Sequence, residues 1–229
     1  MSHFILRYLL VFFCLATPLV TSCAHHVQCN ENKTSHKKGI APQALNKQLI
    51  VLDPGHGGSD KGATLQKIQE KNLSLKTAVL VKRYLNEKGY RVVLTRSRDI
   101  FLPLSKRTHI ANRTKSALFV SIHYNAFKSS QVEGIEVYYY NKGPKWRQSR
   151  SKKLAQCVLD GMIMVTQAKN RGIKPGNFYV IRETQMPAIL IEGGFITHPQ
   201  EHVHLSNQKY IETLAHSIAD GIETYCSAF

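Results

Sequence analysis

Short apolar runs that stop abruptly at glycine, proline or a charged residue constrain the fold of this chain more than any other feature. The first run occupies residues 49–52 and ends at Asp53, Pro54 and Gly55. An uncharged run of this length that meets a turn signal is typical of a strand buried on both faces of a sheet. We therefore predict that a globular domain begins here.

Segments with helical spacing separate the apolar runs. In residues 72–87, Leu73, Val81 and Leu85 recur at helical intervals, and Gly89 follows as a stop signal. Strands are predicted at residues 49–52, 90–95, 117–122, 134–140 and 188–191, and helices at 72–87, 103–115, 151–168 and 207–225. This alternation predicts a single α/β domain with a twisted, mostly parallel sheet flanked by helices.

Residues 1–22 predict an export signal rather than a part of the domain. Arg7 is followed by an uncharged apolar run over residues 8–20, and small residues precede Cys23. The run is shorter than the roughly 20 residues that a membrane-spanning helix needs, so a signal peptide is the better interpretation. We therefore expect an exported protein on the periplasmic side.

Residues 20–23 read Val-Thr-Ser-Cys and resemble a bacterial lipobox, in which the cysteine is lipidated and becomes the new N-terminus. We predict that Cys23 carries such an anchor and holds the protein at a membrane. Ordinary signal cleavage, for instance after Ala24, is the alternative. Residues 23–46 are polar and lack apolar periodicity, so they predict a flexible tether. Residues 47–229 form the predicted catalytic domain.

The formal net charge of +16 indicates an anionic partner. The first 22 residues contain Arg7 and no acidic residue, so the chain stays strongly basic once they are removed. The basic residues are spread along the chain without an arginine-rich arm, and an exported protein meets cell-wall polymer and membrane surface far more often than nucleic acid. We expect an anionic cell-wall polymer or membrane surface, and no nucleic acid, as the partner, and the charge alone does not name the substrate.

The chain has five cysteines, of which Cys14 and Cys23 belong to the signal region. The other three, Cys29, Cys157 and Cys226, cannot all pair with one another. An oxidising compartment permits a disulfide, but the spacing favours no particular pair and contains no C-x-x-C metal motif. No function is assigned to them.

Four polar residues stand where an open α/β sheet places its ligands. They are His56 after the first predicted strand, His123 and Glu192 at the ends of two later strands, and Glu70 before the first helix. Two imidazoles, a carboxylate and an open position for water form a catalytic zinc shell, and a further carboxylate must accept the water's proton. Each residue also has a structural alternative, because a histidine often only caps a strand and Glu70 could only stabilise the positive end of the helix.

Short motifs follow one another in a definite order over residues 49–225. They lie at residues 51–58, 70–71, 95–96, 121–123, 134–139, 171–174, 186–188 and 191–195. The first reads Val-Leu-Asp-Pro-Gly-His-Gly-Gly and the last reads Ile-Glu-Gly-Gly-Phe. Each motif alone is weak, but together they resemble the zinc-dependent N-acetylmuramoyl-L-alanine amidases of the Amidase_3 type.

The resemblance implies that His56, Glu70 and His123 bind Zn²⁺ and that Glu192 is the catalytic carboxylate. It also implies the reaction, which is hydrolysis of the amide bond between N-acetylmuramic acid and the L-alanine of the peptidoglycan stem peptide. Such a reaction serves cell-wall remodelling or cell separation. Peptidoglycan would then be the anionic partner that the net charge indicates.

Two stretches depart from the family pattern. Lys61, Gln66 and Lys67 stand in a stretch where glycines are usual. Tyr124 stands where a small residue is common after the second histidine. We expect these two departures together to reshape the substrate groove. Residues 140–171 leave little room for the autoinhibitory helix that division-associated relatives insert there. We therefore predict activity without an obligatory activator.

Two other functions compete with the amidase hypothesis. A non-catalytic peptidoglycan-binding module could keep the fold and the metal, but it has no need of Glu192. An additional serine-type carboxypeptidase activity is suggested by S-x-x-K matches at residues 35–38 and 149–152. Residues 139–141 resemble the required S-D-N element only loosely, and the K-T-G element is absent from the sequence.

Overall fold

The apolar runs are strands and the periodic segments are helices in the computed structural model of the protein, which describes residues 48–228. The strands are β1 (Leu49–Pro54), β2 (Thr64–Leu65), β3 (Ile68–Gln69), β4 (Arg91–Leu94), β5 (Leu118–Asn125), β6 (Ile135–Tyr139), β7 (Asn170–Pro175) and β8 (Ala188–Phe195). The helices are α1 (Glu70–Glu87), α2 (Leu104–Arg113), α3 (Lys145–Thr166), α4 (Tyr179–Arg182), α5 (Pro199–Ser206) and α6 (Gln208–Ser227). Every strand and helix that the sequence predicts is present, with shifted ends.

A six-stranded sheet in the order β4-β1-β5-β8-β6-β7 forms the centre of the fold. β4, β1, β5 and β8 are parallel to one another, β6 is antiparallel to β8, and β7 is parallel to β6. The prediction of a mostly parallel sheet is therefore confirmed. β2 and β3 pair with each other in a separate antiparallel hairpin.

Alternate residues of the central strands face two hydrophobic clusters. Ile50 and Leu52 of β1 belong to the larger cluster, whereas Val51 between them belongs to the smaller one. Helices α1, α3 and α6 contribute to the larger cluster, and α2 and α4 contribute to the smaller one. Because helices cover both faces of the sheet, its strands read as unbroken apolar runs.

The elements that the sequence did not predict are short or lie at an edge. Strand β7 reads Asn-Arg-Gly-Ile-Lys-Pro and pairs only with β6, so it needs no apolar alternation. Helix α3 was predicted, but it begins at Lys145, six residues before the predicted start at Ser151. The prediction missed this start because the first turns of the helix are basic and largely exposed, so they show no apolar periodicity. Helix α5 buries only Glu201 and Leu205, which is too few for a periodic signal.

The predicted export signal, the tether and Cys23 lie outside the described residues. Within residues 48–228, no helix combines the length and the apolar content that a membrane crossing requires. Cys157 and Cys226 are not joined by a disulfide. Cys29 also lies outside the described residues.

Helices α3 and α6 approach closely because glycines lie at their crossing. A Cβ atom at Gly221 would lie 2.6 Å from Val158 Cα and 2.8 Å from Cys157 O. A Cβ atom at Gly161 would lie 3.0 Å from Ser217 O. The backbones are therefore packed at a separation that leaves no room for a side chain at Gly221.

We predict that Gly221→Ala destabilises the fold by about 1–3 kcal/mol, because the added methyl group forces α3 and α6 apart. Thermal unfolding should then occur roughly 2–12 °C lower. Lys209→Ala is the matched control: this exposed residue lies on the same helix, and its loss should change stability by less than about 0.5 kcal/mol. Equal unfolding temperatures for Gly221→Ala and the wild type would contradict the proposed close packing.

Candidate metal centre

Two buried arginines hold the loop that follows β1 and carries His56. Arg107 donates to Pro54 O at 2.6 Å and to His56 O at 2.7 Å. Arg96 donates to Pro54 O at 3.1 Å and to Gly55 O at 2.6 Å. The loop leaves the sheet with His56 at a φ of 58°, so its carbonyl oxygens need partners outside the ladder. The guanidinium groups provide these partners.

Asp53, the residue before this loop, balances the charge of one of the arginines. Its carboxylate accepts hydrogen bonds from Thr95 Oγ1 at 2.6 Å, Arg107 Nη1 at 2.9 Å and Ser121 Oγ at 2.9 Å. The carboxylate is buried and both of its oxygens accept hydrogen bonds, so it supports the loop.

Glu70 is the first residue of α1 and meets both predicted histidine ligands. Its Oε1 lies 2.9 Å from His56 Nε2 and 2.9 Å from His123 Nδ1. The backbone N–H groups of Ala63 and Tyr124 donate to its two carboxylate oxygens at 2.9 and 3.2 Å. Burial alone would raise the pKa of Glu70, but the bonds to the histidines outweigh it and lower the pKa far below the ordinary value.

The three predicted ligands therefore meet at one point. One donor atom from each of His56, Glu70 and His123 lies within 4.8 Å of the others. Two imidazole nitrogens and one carboxylate oxygen are the donor set of catalytic zinc sites such as the two-histidine, one-glutamate type. The structure brings together the residues that the sequence singled out.

Asp60 also contacts this site, although no sequence motif singled it out. Its Oδ2 lies 2.8 Å from His56 Nδ1, and its Oδ1 accepts from Gly62 N at 3.1 Å. A carboxylate on the second nitrogen of a ligand histidine fixes the orientation of the ring. Burial lowers the pKa of His56, but the bonds to Glu70 and Asp60 outweigh it, so the pKa is raised. An acidic residue four positions after a histidine in a glycine-rich loop was the available signal.

Two glycines leave the space that the ligands occupy. A Cβ atom at Gly55 would lie 2.3 Å from His123 Cε1. A Cβ atom at Gly62 would lie 2.5 Å from Glu70 Oε2, and Gly62 adopts a φ of +63°. The stretch between the first histidine and the first glutamate thus keeps a glycine at the position where the site requires one.

Glu192 lies on β8, beside the metal ligands. It is opposite His123 of β5 on one side and Glu136 of β6 on the other. Its Oε2 is buried and has no hydrogen-bond partner among residues 48–228. Burial raises the pKa of Glu192 well above its ordinary value, and the negative charges of Glu70 and Glu136 raise it further. This carboxyl group therefore readily holds a proton.

Glu136 differs from its neighbour Glu192 because it is fully paired. Arg171 Nε donates to it at 2.8 Å, and Lys174 Nζ also contacts it. Tyr138 OH and Asn125 Nδ2 donate at 2.7 and 3.0 Å. Burial raises the pKa of Glu136, but these donors outweigh it and lower the pKa, so the group remains ionised. The sequence motifs contained these residues without indicating their contacts.

A cavity of about 300 Å³ opens beside the ligands. His56, Asp60 and His123 form its polar wall. The apolar wall consists of Phe101, Leu102, Leu104, Phe178, Tyr179 and Val180. A substrate can therefore approach the histidines over a surface that excludes water on one side.

Comparison with known proteins assigns the chain and its fold to a family. Residues 50–224 match the family model Amidase_3, described as N-acetylmuramoyl-L-alanine amidase. The chain belongs to this amidase family. It is 36% identical over 194 residues to the "Probable cell wall amidase LytH" of Staphylococcus epidermidis, which covers 83% of this chain and 62% of that protein. The chain thus spans less than two thirds of this curated relative.

Solved structures of amidases share the fold. An N-acetylmuramoyl-L-alanine amidase from Clostridium difficile 630 is 38% identical, with a TM-score of 0.75 over 80% of this chain and 98% of that chain. The CwlD amidase of Clostridioides difficile, solved in complex with the GerS lipoprotein, is 30% identical, with a TM-score of 0.75 over 80% of this chain and 100% of that chain. The family resemblance of the sequence is confirmed.

The two departures from the family pattern have different consequences. Gln66 occupies the turn between β2 and β3 with a φ of 51°, a conformation that favours glycine. Tyr124 is only 1% exposed, and its hydroxyl lies 2.6 Å from Thr77 Oγ1 in the core. The expectation that Tyr124 reshapes the substrate groove is wrong, because the pleat of β5 directs its side chain to the opposite face from His123.

We predict that Glu192→Gln stabilises the metal-free protein at pH 8 and not at pH 4. The raised pKa means that the folded state prefers the neutral acid, so stability falls as the pH rises from about 4.5 through the raised value. Ionising the buried carboxyl group costs roughly 1 kcal/mol or more of folding stability for each unit by which its pKa is raised. Glutamine carries no charge and avoids this cost, so the Glu192→Gln variant should unfold at least about 2–4 °C above the wild type at pH 8.

The exposed Glu87→Gln is the control for this measurement and should show no such difference between the two pH values. Thermal unfolding monitored by circular dichroism provides the test. An equal gain at pH 4 and pH 8 for Glu192→Gln would show that ionisation of Glu192 is not the cause.

Proposed function

We propose that this chain is a zinc-dependent amidase that hydrolyses the bond between N-acetylmuramic acid and L-alanine in peptidoglycan. The observation that carries the proposal is the buried Oε2 of Glu192, which has no hydrogen-bond partner among residues 48–228 and lies beside the donor set of His56, Glu70 and His123. A purely structural metal site has no use for such a group, whereas hydrolysis requires a proton acceptor near the metal.

The donor set suits Zn²⁺ better than it suits Ca²⁺ or Mg²⁺, which prefer oxygen ligands. Two histidines and one carboxylate also occur in Fe²⁺ oxygenases. The additional carboxyl group of Glu192 and the amidase family favour hydrolysis over oxygenation. When bound, the zinc ion supplies a Lewis acid that activates water and polarises the amide carbonyl.

The residues of the chain have separate tasks in the proposed reaction. His56, Glu70 and His123 hold the ion, and Asp60 orients the ring of His56. Glu192 takes a proton from the attacking water and delivers it to the amine of the departing alanine. The exchange is general acid–base catalysis, in which one carboxyl group first accepts a proton and then donates it.

The biological setting that we propose is the cell wall, outside the cytoplasm. The related LytH, which is named a probable cell-wall amidase, shares the domain. The net charge of +16 would draw the protein to an anionic wall, where the reaction would serve remodelling or cell separation. We propose no role for nucleic acid.

The serine-based alternative gains no support from the fold. Ser149 and Lys152 are exposed on α3, and no described residue forms a hydrogen bond with the Ser149 hydroxyl. A serine nucleophile needs an adjacent base to be activated. Residues 35–38 lie outside the described residues.

We predict different defects for the two glutamates. Glu192→Gln should keep stoichiometric zinc and lose turnover by about 10²- to 10⁴-fold, because it cannot accept a proton. Glu70→Gln should bind zinc more weakly and regain part of its activity in excess zinc, because it replaces a charged ligand. Metal content by mass spectrometry and release of stem peptides from purified peptidoglycan are the measurements.

Glu87→Gln serves as the control for these variants, and the wild type should lose activity in chelator and regain it with zinc. If Glu192→Gln loses the metal and Glu70→Gln keeps it, the two roles are reversed. If metal-loaded wild type releases no stem peptide, the proposed reaction is wrong and the binding-module alternative is favoured.

We further propose that the enzyme works without an activator. Helix α3 (Lys145–Thr166) occupies most of the interval 140–171 in which relatives carry an autoinhibitory helix. It packs into the core through Leu154, Val158, Leu159 and Met162. A helix with this packing is committed to the fold and is not available as a plug for the metal site.

Purified protein should therefore digest peptidoglycan alone. Because the related CwlD was solved with a lipoprotein, a membrane fraction of the producing cells is the informative addition. A rise in turnover of more than tenfold on that addition would contradict the proposal.

We propose that Cys23 is lipidated and that residues 24–46 separate the anchor from the domain. Metabolic labelling with a fatty acid should mark the wild type and fail to mark Cys23→Ser. Cys29→Ser, which removes a nearby cysteine outside the lipobox, should stay labelled. Label that persists in Cys23→Ser would contradict the anchor.

A further inference from the structure

A second cavity, of about 380 Å³, lies at the end of the sheet opposite the metal centre. Its wall includes Gln48 before β1, Leu118 at the start of β5 and Pro187 before β8. These are the N-terminal ends of parallel strands, whereas His123 lies five residues along β5 from Leu118. At about 3.3 Å per residue the two sites are separated by roughly 16 Å along that strand.

We infer that this second cavity binds a glycan strand that carries carboxylates. Trp146, Lys115 and Arg150 line it, and no aspartate or glutamate is among its lining residues. The Trp146 side chain is 51% exposed. An exposed indole offers a flat apolar surface for the face of a sugar ring, and the two cations offer charge-assisted hydrogen bonds to a carboxylate.

The cations of the second cavity are available to a ligand. Lys115 and Arg150 are both exposed, and neither forms a salt bridge or a side-chain hydrogen bond with another described residue. The cations near the metal centre differ in this respect, since Arg171 and Lys174 are both bound to Glu136. The second cavity therefore presents uncompensated positive charge beside an aromatic surface.

Helix α3 adds to this positive charge, although cations near its N-terminus destabilise the helix. Its first nine residues contain five cations, namely Lys145, Arg147, Arg150, Lys152 and Lys153, and its first acidic residue is Asp160. The N-terminus of a helix is the positive end of its dipole, so cations there destabilise the helix and anions stabilise it. A bound anion at the Trp146 end would relieve this repulsion, which supports an anionic ligand.

The proposed reaction produces such a ligand, and in this respect the inference rests on the proposed function. Water adds across the lactyl amide, the C–N bond breaks, and the alanine amine leaves with a proton. The muramic acid keeps a free carboxylate where the substrate had a neutral amide. The second cavity is therefore suited to glycan that has already been stripped of peptide, and it would hold the enzyme on the wall between cuts.

Trp146 is the only tryptophan of the chain, so its fluorescence reports directly on this cavity. We propose titrating the full-length chain with peptide-free glycan strands that alternate N-acetylglucosamine and N-acetylmuramic acid. We expect saturable quenching or a spectral shift. Neutral N-acetylglucosamine oligomers of equal length should bind at least about tenfold more weakly, because they lack the carboxylate.

Arg150→Glu and Lys115→Glu should each weaken binding of the muramic glycan roughly 10- to 100-fold. Lys76→Glu is the matched control, since it makes the same charge change at an exposed position of α1 outside the cavity, and it should bind like the wild type. Circular dichroism checks that each variant is folded. Glu192→Gln should bind normally, which separates this inference from the proposed function.

Three outcomes would overturn the inference. Equal affinity for the neutral oligomer would remove the role of the carboxylate. Equal loss in Lys76→Glu and Arg150→Glu would reduce the effect to general electrostatic adhesion. Tighter binding of a glycerol-phosphate polymer than of the muramic glycan would identify a different wall polymer as the ligand. Failure of peptidoglycan hydrolysis, by contrast, would count against the proposed function alone.

Discussion

The hydrogen bonds from Arg96 and Arg107 to the loop after β1 are the interaction on which the metal centre depends. The loop must leave the sheet sharply to place His56 beside His123, and this turn removes its carbonyl oxygens from the strand ladder. Buried carbonyl groups without partners would each cost about 1–3 kcal/mol. The two guanidinium groups satisfy them, and Asp53 offsets part of their charge. The loop that carries His56 is thereby held in one conformation.

The environments of Glu70 and Glu192 give two identical side chains opposite protonation behaviour. Glu70 faces imidazole nitrogens and backbone N–H groups, so its pKa is lowered and its carboxylate remains ionised. The pKa of Glu192 is raised because the group is buried and because the negative charges of Glu70 and Glu136 lie nearby. Pairs of carboxyl groups whose environments separate their pKa values are typical of acid–base catalysis. The parallel strands make this arrangement possible because they bring His123 and Glu192 into register.

The sequence predicted the parts of the molecule that obey simple periodicity. The central strands could be found because strands buried on both faces of a sheet read as continuous apolar runs. The long helices could be found from their helical spacing, and the four site residues from their positions at the ends of these elements. Periodicity indicated neither Asp60 nor the contacts of Glu136, because a hydrogen bond between side chains leaves no period in the sequence; only the spacing of Asp60 from His56 pointed to it. The side-chain direction of Tyr124 was misjudged for a related reason, since it follows from the pleat of β5 rather than from residue size.

The lack of space around Gly55 has a consequence for how this family is recognised. The ring of His123 occupies the volume of any side chain at that position, whatever reaction the protein performs. The glycine-rich string after β1 therefore records a steric requirement of assembling the ligands. A descendant that had exchanged Glu192 for an inert residue would still need that string in order to bind metal. Active enzymes and relatives that had lost hydrolysis would therefore share the glycine-rich motif after β1. Only the residue at position 192 on β8 would distinguish them.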